Sequence, residues 1–109
     1  MIHYPGRLIT FEGIDNSGKS EQAKRLAESL KKIGYETIYA REPGGEIFAE
    51  HLRNLLKYED YRKKIFNGKN PKIHPRTEML LFEAARANLV EYVVKPALEQ
   101  GKIVVLDRF

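Results

Sequence analysis

Residues 8–20 read LITFEGIDNSGKS, and this stretch decides the fold. Its first part, 8–11, is a short apolar run that favours β-structure and predicts a buried strand. Two glycines, a lysine and a serine follow in the order G-x-x-x-x-G-K-S. Apolar residues then recur at helical spacing over 19–33, and Gly34 is a typical helix stop. The stretch therefore predicts a strand, a glycine-rich turn and a helix.

This glycine-rich spacing, placed between a strand and a helix, predicts a P-loop. Glycines let successive backbone N–H groups turn into one concavity, and the helix adds the positive end of its dipole. A lysine here can reach the β- and γ-phosphates of a nucleotide, and a serine hydroxyl can ligate Mg²⁺. The alternative is a glycine-rich turn with an exposed lysine. The predicted ATP-binding residues are Gly13, Ile14, Asp15, Asn16, Ser17, Gly18, Lys19 and Ser20.

The order of the remaining elements predicts an α/β fold. Strand patterns occupy 36–40 and 103–106, and helical patterns occupy 47–56 and 77–94. Thr77 or a neighbour caps the long helix, Pro96 kinks or restarts it, and Gly101 ends it. The segment 57–75 is polar, basic and broken by glycine and prolines, which predicts an inserted loop between helices.

The order β-α-β-α-α-β predicts a parallel sheet with flanking helices and right-handed crossovers. Ligands bind such sheets at the carboxyl ends of the strands, where 13–20, 41–45 and 107–109 all lie. Asp107 follows an apolar strand, and a carboxylate there can hold Mg²⁺ beside Ser20. The alternative is an aspartate that merely ends a strand at a turn.

Composition excludes several other classes. The 109 residues contain no cysteine, so disulfides, zinc–thiolate sites and thiol nucleophiles are excluded. The three histidines lack the spacing of metal ligands. The net charge of +4 is not gathered on one helix face, which argues against nucleic-acid binding and favours small phosphorylated ligands. The N-terminus lacks the long apolar segment of a signal peptide or membrane span. We therefore expect a cytoplasmic protein without membrane partners.

Four further stretches carry a resemblance to one family. They are REPGG at 41–45, FEAAR at 82–86, KPAL at 95–98 and DRF at 107–109. With the P-loop, they resemble thymidylate kinase over residues 8–109. The resemblance implies a P-loop nucleoside monophosphate kinase domain that transfers the γ-phosphoryl group of ATP to thymidine monophosphate, with Mg²⁺, in dTTP biosynthesis. A kinase for another nucleoside monophosphate and a non-catalytic nucleotide-binding fragment remain alternatives.

The resemblance also implies roles for matched residues. Asp15 contacts the sugar 3′-hydroxyl or the magnesium shell, and Arg108 and Arg53 bind the phosphate of the acceptor. Phe82 stacks on thymine and Arg86 hydrogen-bonds the base. The spacing of Phe82 and Arg86 places both on one helix face, although Phe82 as core and Arg86 as a surface partner of Glu83 or Glu78 is the alternative. The predicted catalytic residues are Lys19, Asp15 and Arg108.

Several residues depart from the family pattern. Glu46 stands where threonine usually follows REPGG; it either adds negative charge near the substrate or caps the second helix. Asn16 cannot supply the positive charge that some members carry in the P-loop. The resemblance implies that enzymes without this charge need an arginine from a downstream lid segment instead. Arg41 belongs to the matched REPGG stretch, and it either contacts ligand or positions the turn that follows it.

The sequence ends just past the third strand, where family members continue. We therefore expect a domain that is incomplete at its C-terminus, or completed by a separate C-terminal chain, and little turnover by the 109-residue chain alone. The resemblance implies a homodimer, for which the apolar stretch 89–94 is the expected interface.

Overall fold

The computed structural model describes residues 5–13, 18–42 and 46–108, and it forms a sheet flanked by helices. The expected features at Ile14 to Ser17, at 43–45 and at Phe109 lie outside the described residues. The elements in chain order are β1 (Arg7–Phe11), α1 (Lys19–Lys32), β2 (Thr37–Glu42), α2 (Ile47–Lys57), α3 (Glu59–Ile65), α4 (Pro75–Leu89), a π-helical segment (Val90–Val94), α5 (Lys95–Glu99) and β3 (Ile103–Arg108).

All three strands are parallel, and β3 lies between β1 and β2. The predicted α/β class and the parallel sheet with flanking helices are confirmed. The apolar run of β3 suits this central place, because a strand covered on both faces buries successive side chains. Val104 and Val105 are both fully buried, and they face opposite sides of the sheet.

The two faces of the sheet have separate cores. Val105 packs with Ala23 and Ala27 of α1 on one face. Val104 and Leu106 pack on the other face with Leu89, Val94 and Ala97, which come from the helical stretch before β3. We call these the α1 face and the α4 face. Since side chains alternate along a strand, odd-numbered residues of β3 face α1 and even-numbered ones face α4.

The expectation that β1 is buried is wrong. Leu8 is 47% exposed, and only Ile9 and Phe11 of this strand are half-buried. The reason is its place at the edge of the described sheet, where β3 pairs with it on one side only. Apolar residues at 8–11 predicted the strand correctly but could not show how much of it neighbouring elements cover.

The segment 57–75 is not a simple loop, because residues Glu59–Ile65 form helix α3. Acidic residues lie in its first turn and basic residues in its last, which complements the helix dipole. Arg62 also donates from its NH1 nitrogen to the carbonyl oxygens of Leu55 and Leu56, at 2.9 and 3.0 Å. These bonds satisfy carbonyls at the end of α2 and attach the segment to it.

The long helix starts two residues earlier than predicted and is interrupted. Pro75 occupies its first turn and His74 is its cap, accepting at Nδ1 from the N–H of Arg76 at 3.1 Å, so the Thr77 cap is wrong. Proline fits this place because its missing N–H would have no helical partner there. Pro96 lacks the N–H that would bond to residue 92. The backbone accommodates it by the wider π-turn, in which the N–H of Lys95 bonds to the carbonyl of Val90.

No helix among the described residues has the length and apolar character needed to span a bilayer.

Candidate active site at the carboxyl ends of the strands

Lys19 and Asp107 form a buried ion pair where α1 meets the end of β3. The Lys19 ammonium lies 3.1 Å from Asp107 Oδ1 and also donates to the main-chain carbonyl of Arg108. The lysine side chain is only 8% exposed, because it is the first residue of α1 and folds back over the strand end. The structure thus brings the predicted phosphate-binding lysine and the predicted metal carboxylate into direct contact.

Ser20 and Tyr39 converge on the same carboxylate. Ser20 Oγ donates to Asp107 Oδ2 at 2.5 Å, and the Tyr39 hydroxyl donates to that oxygen at 3.0 Å. Tyr39 lies on β2 opposite Val105, so both Tyr39 and Asp107 face α1. Asp107 therefore accepts from a helix on one side and from the neighbouring strand on the other.

These contacts shift two pKa values. Burial by itself would raise the pKa of Asp107. Hydrogen bonds from Ser20, Lys19 and Tyr39, with the Lys19 charge, outweigh burial and hold that pKa below its ordinary value. For Tyr39, burial, the hydrogen bond to Asp107 and the negative charge of Asp107 raise the pKa to about 12. The carboxylate is thus ionised and the phenol protonated at neutral pH.

Gly18, the residue directly before α1, has a left-handed backbone conformation. Gly18 has a φ of 82° and precedes the helix without a side-chain hydrogen bond to the first N–H groups. A Cβ at Gly18 would meet nothing within 4 Å, so the left-handed backbone rather than lack of space calls for glycine. The other predicted ATP-binding residues, Ile14, Asp15, Asn16 and Ser17, lie outside the described residues.

Ser20 and Asp107 fit the donor set for Mg²⁺. The ion is commonly held by one or two protein oxygens together with substrate phosphates and water. Ser20 Oγ and Asp107 Oδ2 lie 2.5 Å apart, so these two oxygens are close enough to hold one ion together. Within the described residues there is no group of three or more histidine and acidic side chains that could hold a metal without substrate.

A second cluster lies on the α4 face, around the carboxylate of Glu42. Arg86 donates from Nε to Glu42 Oε1, and Arg108 Nε lies 3.2 Å from Glu42 Oε2. Register explains the second contact, since Glu42 is the direct neighbour of Arg108 across β2 and β3. Glu42 is only 6% exposed. The structure therefore joins the predicted base-binding and phosphate-binding arginines through one buried carboxylate.

Both arginines also contact an exposed glutamate. Arg108 NH1 lies 2.8 Å from Glu12 Oε1, just beyond the end of β1. Arg86 NH1 lies 3.1 Å from Glu83 Oε1, three residues earlier on α4. The second contact agrees with the alternative that Arg86 pairs with Glu83, but the same arginine also reaches the buried site. Phe82 lies one turn before Arg86 and is half-buried.

Together with Arg108, Arg53 is predicted to bind the acceptor phosphate. It lies on α2 and is only 9% exposed, and within the described part of the chain no hydrogen bond or ion pair involves its side chain. A guanidinium in such a place favours an anionic partner, because an unpaired buried charge is costly. The structure does not bring Arg53 into the Glu42 cluster.

Glu46 and Arg41 both make contacts with α2. Glu46 is the cap of α2, because its carboxylate accepts from the N–H groups of Phe48 and Ala49 at 3.0 and 2.5 Å. Of the two expectations for Glu46, the cap is confirmed. Arg41 forms a bidentate ion pair with Glu50 of α2. Its Nε and Nη2 atoms donate to the two carboxylate oxygens at 3.2 and 3.1 Å. This contact attaches the end of β2 to α2.

Sequence reasoning missed Glu42, Tyr39 and Glu12. Glu42 is the second residue of REPGG, but its contact with Arg108 depends on which strand lies beside β2, and the motif does not show that. Tyr39 was predicted as a strand residue, and no role was predicted for Glu12. A hydroxyl or carboxylate within two residues of a strand's carboxyl end was the available signal.

The sequence of this chain matches known proteins of one family. A family model described as thymidylate kinase matches residues 11–109. The chain belongs to the thymidylate kinase family. It is 49% identical over 105 residues to a thymidylate kinase of Dinoroseobacter shibae, covering 96% of this chain and 46% of the relative. It is 48% identical over 104 residues to that of Thermoanaerobacter sp. strain X514, covering 95% and 46%.

A solved structure shows the same fold. The crystal structure of thymidylate kinase from Ehrlichia chaffeensis superposes with a TM-score of 0.78 at 40% identity, covering 95% of this chain and 52% of the solved one. The resemblance found in the sequence is thereby confirmed. The chain spans about half the length of the thymidylate kinases that it matches.

Proposed function

We propose that the protein transfers the γ-phosphoryl group of ATP to thymidine monophosphate, giving thymidine diphosphate for dTTP biosynthesis. The family supports this reaction class. The observation that carries the proposal is made at the end of β3, where two consecutive residues make contacts in two different clusters. Asp107 faces Lys19 and Ser20, whereas Arg108 faces Glu42 and Arg86. One strand end thus joins the expected donor side and acceptor side, as transfer between two bound phosphates requires.

On the donor side, residues 13–20, which include the start of α1, would hold the ATP phosphates. Lys19 would exchange its contacts at the end of β3 for phosphate oxygens, or share them. Ser20 and Asp107 would hold Mg²⁺, which when bound neutralises charge on the phosphates. The low pKa of Asp107 keeps its carboxylate ionised for this purpose.

On the acceptor side, Phe82 would stack on thymine and Arg86 would hydrogen-bond its edge. Arg108 and Arg53 would bind the monophosphate, since a planar guanidinium can donate two parallel hydrogen bonds to phosphate oxygens. Asp15 would contact the sugar 3′-hydroxyl or the magnesium shell. These assignments rest on matched motif positions, and the Glu42 contacts support those of Arg86 and Arg108.

The chemistry would consist of positioning and electrostatic stabilisation. An oxygen of the monophosphate attacks the γ-phosphorus, the bond to the β–γ bridging oxygen breaks, and ADP leaves. No general base is needed, because the attacking oxygen is already anionic. Lys19 and Arg108 would stabilise the negative charge on the transferring group from its two sides.

We also propose a cytoplasmic homodimer, and completion of the fold by residues in the same or a separate chain. The expected dimer stretch 89–94 needs correction, because Leu89 and Val94 belong to the core of this chain. Met79, Leu80 and Tyr92 are the strongly exposed apolar residues of the same helical stretch, and they are the candidates for contact with a second copy.

An assay of the natural polypeptide with a panel of nucleoside monophosphates tests the reaction. We expect ATP-dependent formation of thymidine diphosphate, with thymidine monophosphate preferred over the cytidine, guanosine and adenosine monophosphates. Arg53→Ala should raise the KM for the monophosphate, whereas Arg25→Ala, which removes an exposed arginine paired with Glu21, should not. Faster turnover of another monophosphate would favour a different kinase, and ATP binding without transfer would favour a non-catalytic role.

A further inference from the structure

Arg86 and Arg108 make the same pattern of contacts. In each, Nε pairs with Glu42, and NH1 pairs with a glutamate that lies at the surface. Within the residues that the structure describes, NH2 of neither arginine has a hydrogen bond. A guanidinium has five N–H donors, so each arginine retains donors on its outer edge.

The two kinds of carboxylate differ strongly in burial. The side chain of Glu42 is 6% exposed, whereas those of Glu12 and Glu83 are 63% and 56% exposed. An ion pair in water contributes little and exchanges easily, whereas a buried carboxylate with two cationic partners is costly to separate from them. Glu42 is therefore the permanent partner, and the two surface glutamates are the exchangeable ones.

We propose that Glu42 is a positioning residue that fixes Arg86 and Arg108 together, and that Glu12 and Glu83 occupy the donors that the nucleotide takes. This inference rests on the proposed function of the site. With each Nε committed to Glu42, the substrate can use only the NH1 and NH2 edge of each guanidinium. Phosphate then displaces Glu12 from Arg108, and the base displaces Glu83 from Arg86.

The inference predicts opposite effects from two substitutions that remove the same charge. Glu42→Gln releases both arginines, so the KM for thymidine monophosphate should rise about 10- to 100-fold, as for loss of a hydrogen bond to a charged group. Glu12→Gln removes a competitor for Arg108, so that KM should fall about two- to fivefold, the range of an exposed pair. If negative charge alone mattered, both substitutions would lower KM.

Binding of thymidine, which lacks the phosphate, separates the two arginines. Glu42→Gln should weaken thymidine binding as well, because Glu42 also holds Arg86. Glu12→Gln should leave thymidine affinity unchanged, because among the described residues Glu12 pairs with Arg108 and not with Arg86. Glu83→Gln should strengthen thymidine binding by up to about twofold, as for loss of a surface pair within one helix.

The experiment measures the KM for thymidine monophosphate and for ATP, thymidine affinity by calorimetry, and melting temperature, in the natural polypeptide and the three variants. The inference requires a selective rise in the monophosphate KM of Glu42→Gln, with the ATP KM changed less than about twofold. A lower melting temperature with equal changes in both KM values would make Glu42 merely structural and overturn the inference. A change of the monophosphate KM in the same direction for Glu42→Gln and Glu12→Gln would also overturn the inference. Failure of the unmodified protein to bind thymidine monophosphate would overturn the proposed function and this inference with it.

Discussion

Replacing Asp107 with asparagine tests the buried ion pair at the end of β3. The substitution keeps the shape of the side chain but removes the Asp107 charge from beside the Lys19 ammonium, which is 8% exposed. Removing one partner of a buried pair costs about 3–5 kcal/mol. Lys19 retains the carbonyl oxygen of Arg108 as a partner, so we expect Asp107→Asn to lower the free energy of unfolding by about 3 kcal/mol at pH 7.

The loss of stability caused by Asp107→Asn should become smaller as the pH falls. The folded-state pKa of Asp107 lies below its ordinary value of 3.8. The carboxylate therefore contributes stability above about pH 4, and this contribution disappears as pH falls through the folded-state pKa. The difference between Asp107→Asn and the unmodified protein should shrink over that acidic range, because both proteins then carry a neutral side chain at position 107.

Urea unfolding followed by circular dichroism, from pH 7 down to pH 3, measures both effects. Glu21→Gln is the matched control, because it removes an exposed carboxylate that pairs with Arg25 on the same helix. That variant should stay within about 0.5 kcal/mol of the unmodified protein. A loss below 1 kcal/mol for Asp107→Asn, or a loss that does not change between pH 7 and pH 3, would refute the argument for the buried pair.

Three further outcomes follow from the same contacts. Tyr39→Phe removes a donor to Asp107, so the pKa of Asp107 should rise and the midpoint of acid unfolding, followed by circular dichroism, should move to higher pH; an unchanged midpoint would contradict this. Glu46→Ala removes the cap of α2 and should cost about 1 kcal/mol in urea unfolding, whereas Glu46→Asp should retain most of it. Gly18→Ala should cost about 1–2 kcal/mol in urea unfolding because of the left-handed backbone, and Gly18→Asn should cost less; equal stability of Gly18→Ala and the unmodified protein would contradict this.

Much of the fold could be predicted from local patterns. The apolar spacing of α1 and the left-handed Gly34 after it agree with the structure, as does the β-branched run of β3. These features depend on neighbours in the sequence, which a reader of the sequence sees directly. Helix α3 was missed because glycine and prolines dominate the surrounding segment. Its acidic first turn and basic last turn were the signal available for it.

The candidate site was predictable only in part. Lys19, Ser20 and Asp107 were expected together, because a P-loop and a strand-end carboxylate meet at one edge of a parallel sheet. Glu42 was not expected, because its contact with Arg108 requires β2 to lie beside β3 in the observed register. The exposure of β1 depends likewise on sheet order, which local sequence does not encode.

Calorimetric titration with Mg-ATP tests the central claim most directly, namely that the turn before α1 and the ammonium of Lys19 bind a nucleotide's phosphates. Three proteins are compared: the natural polypeptide, Lys19→Met, and Lys32→Ala, which removes a lysine from the last turn of the same helix. The account predicts saturable binding that Lys19→Met abolishes and Lys32→Ala leaves unchanged, with circular dichroism showing that all three are folded. Absence of binding by the natural polypeptide, or equal binding by the folded Lys19→Met protein, would contradict it.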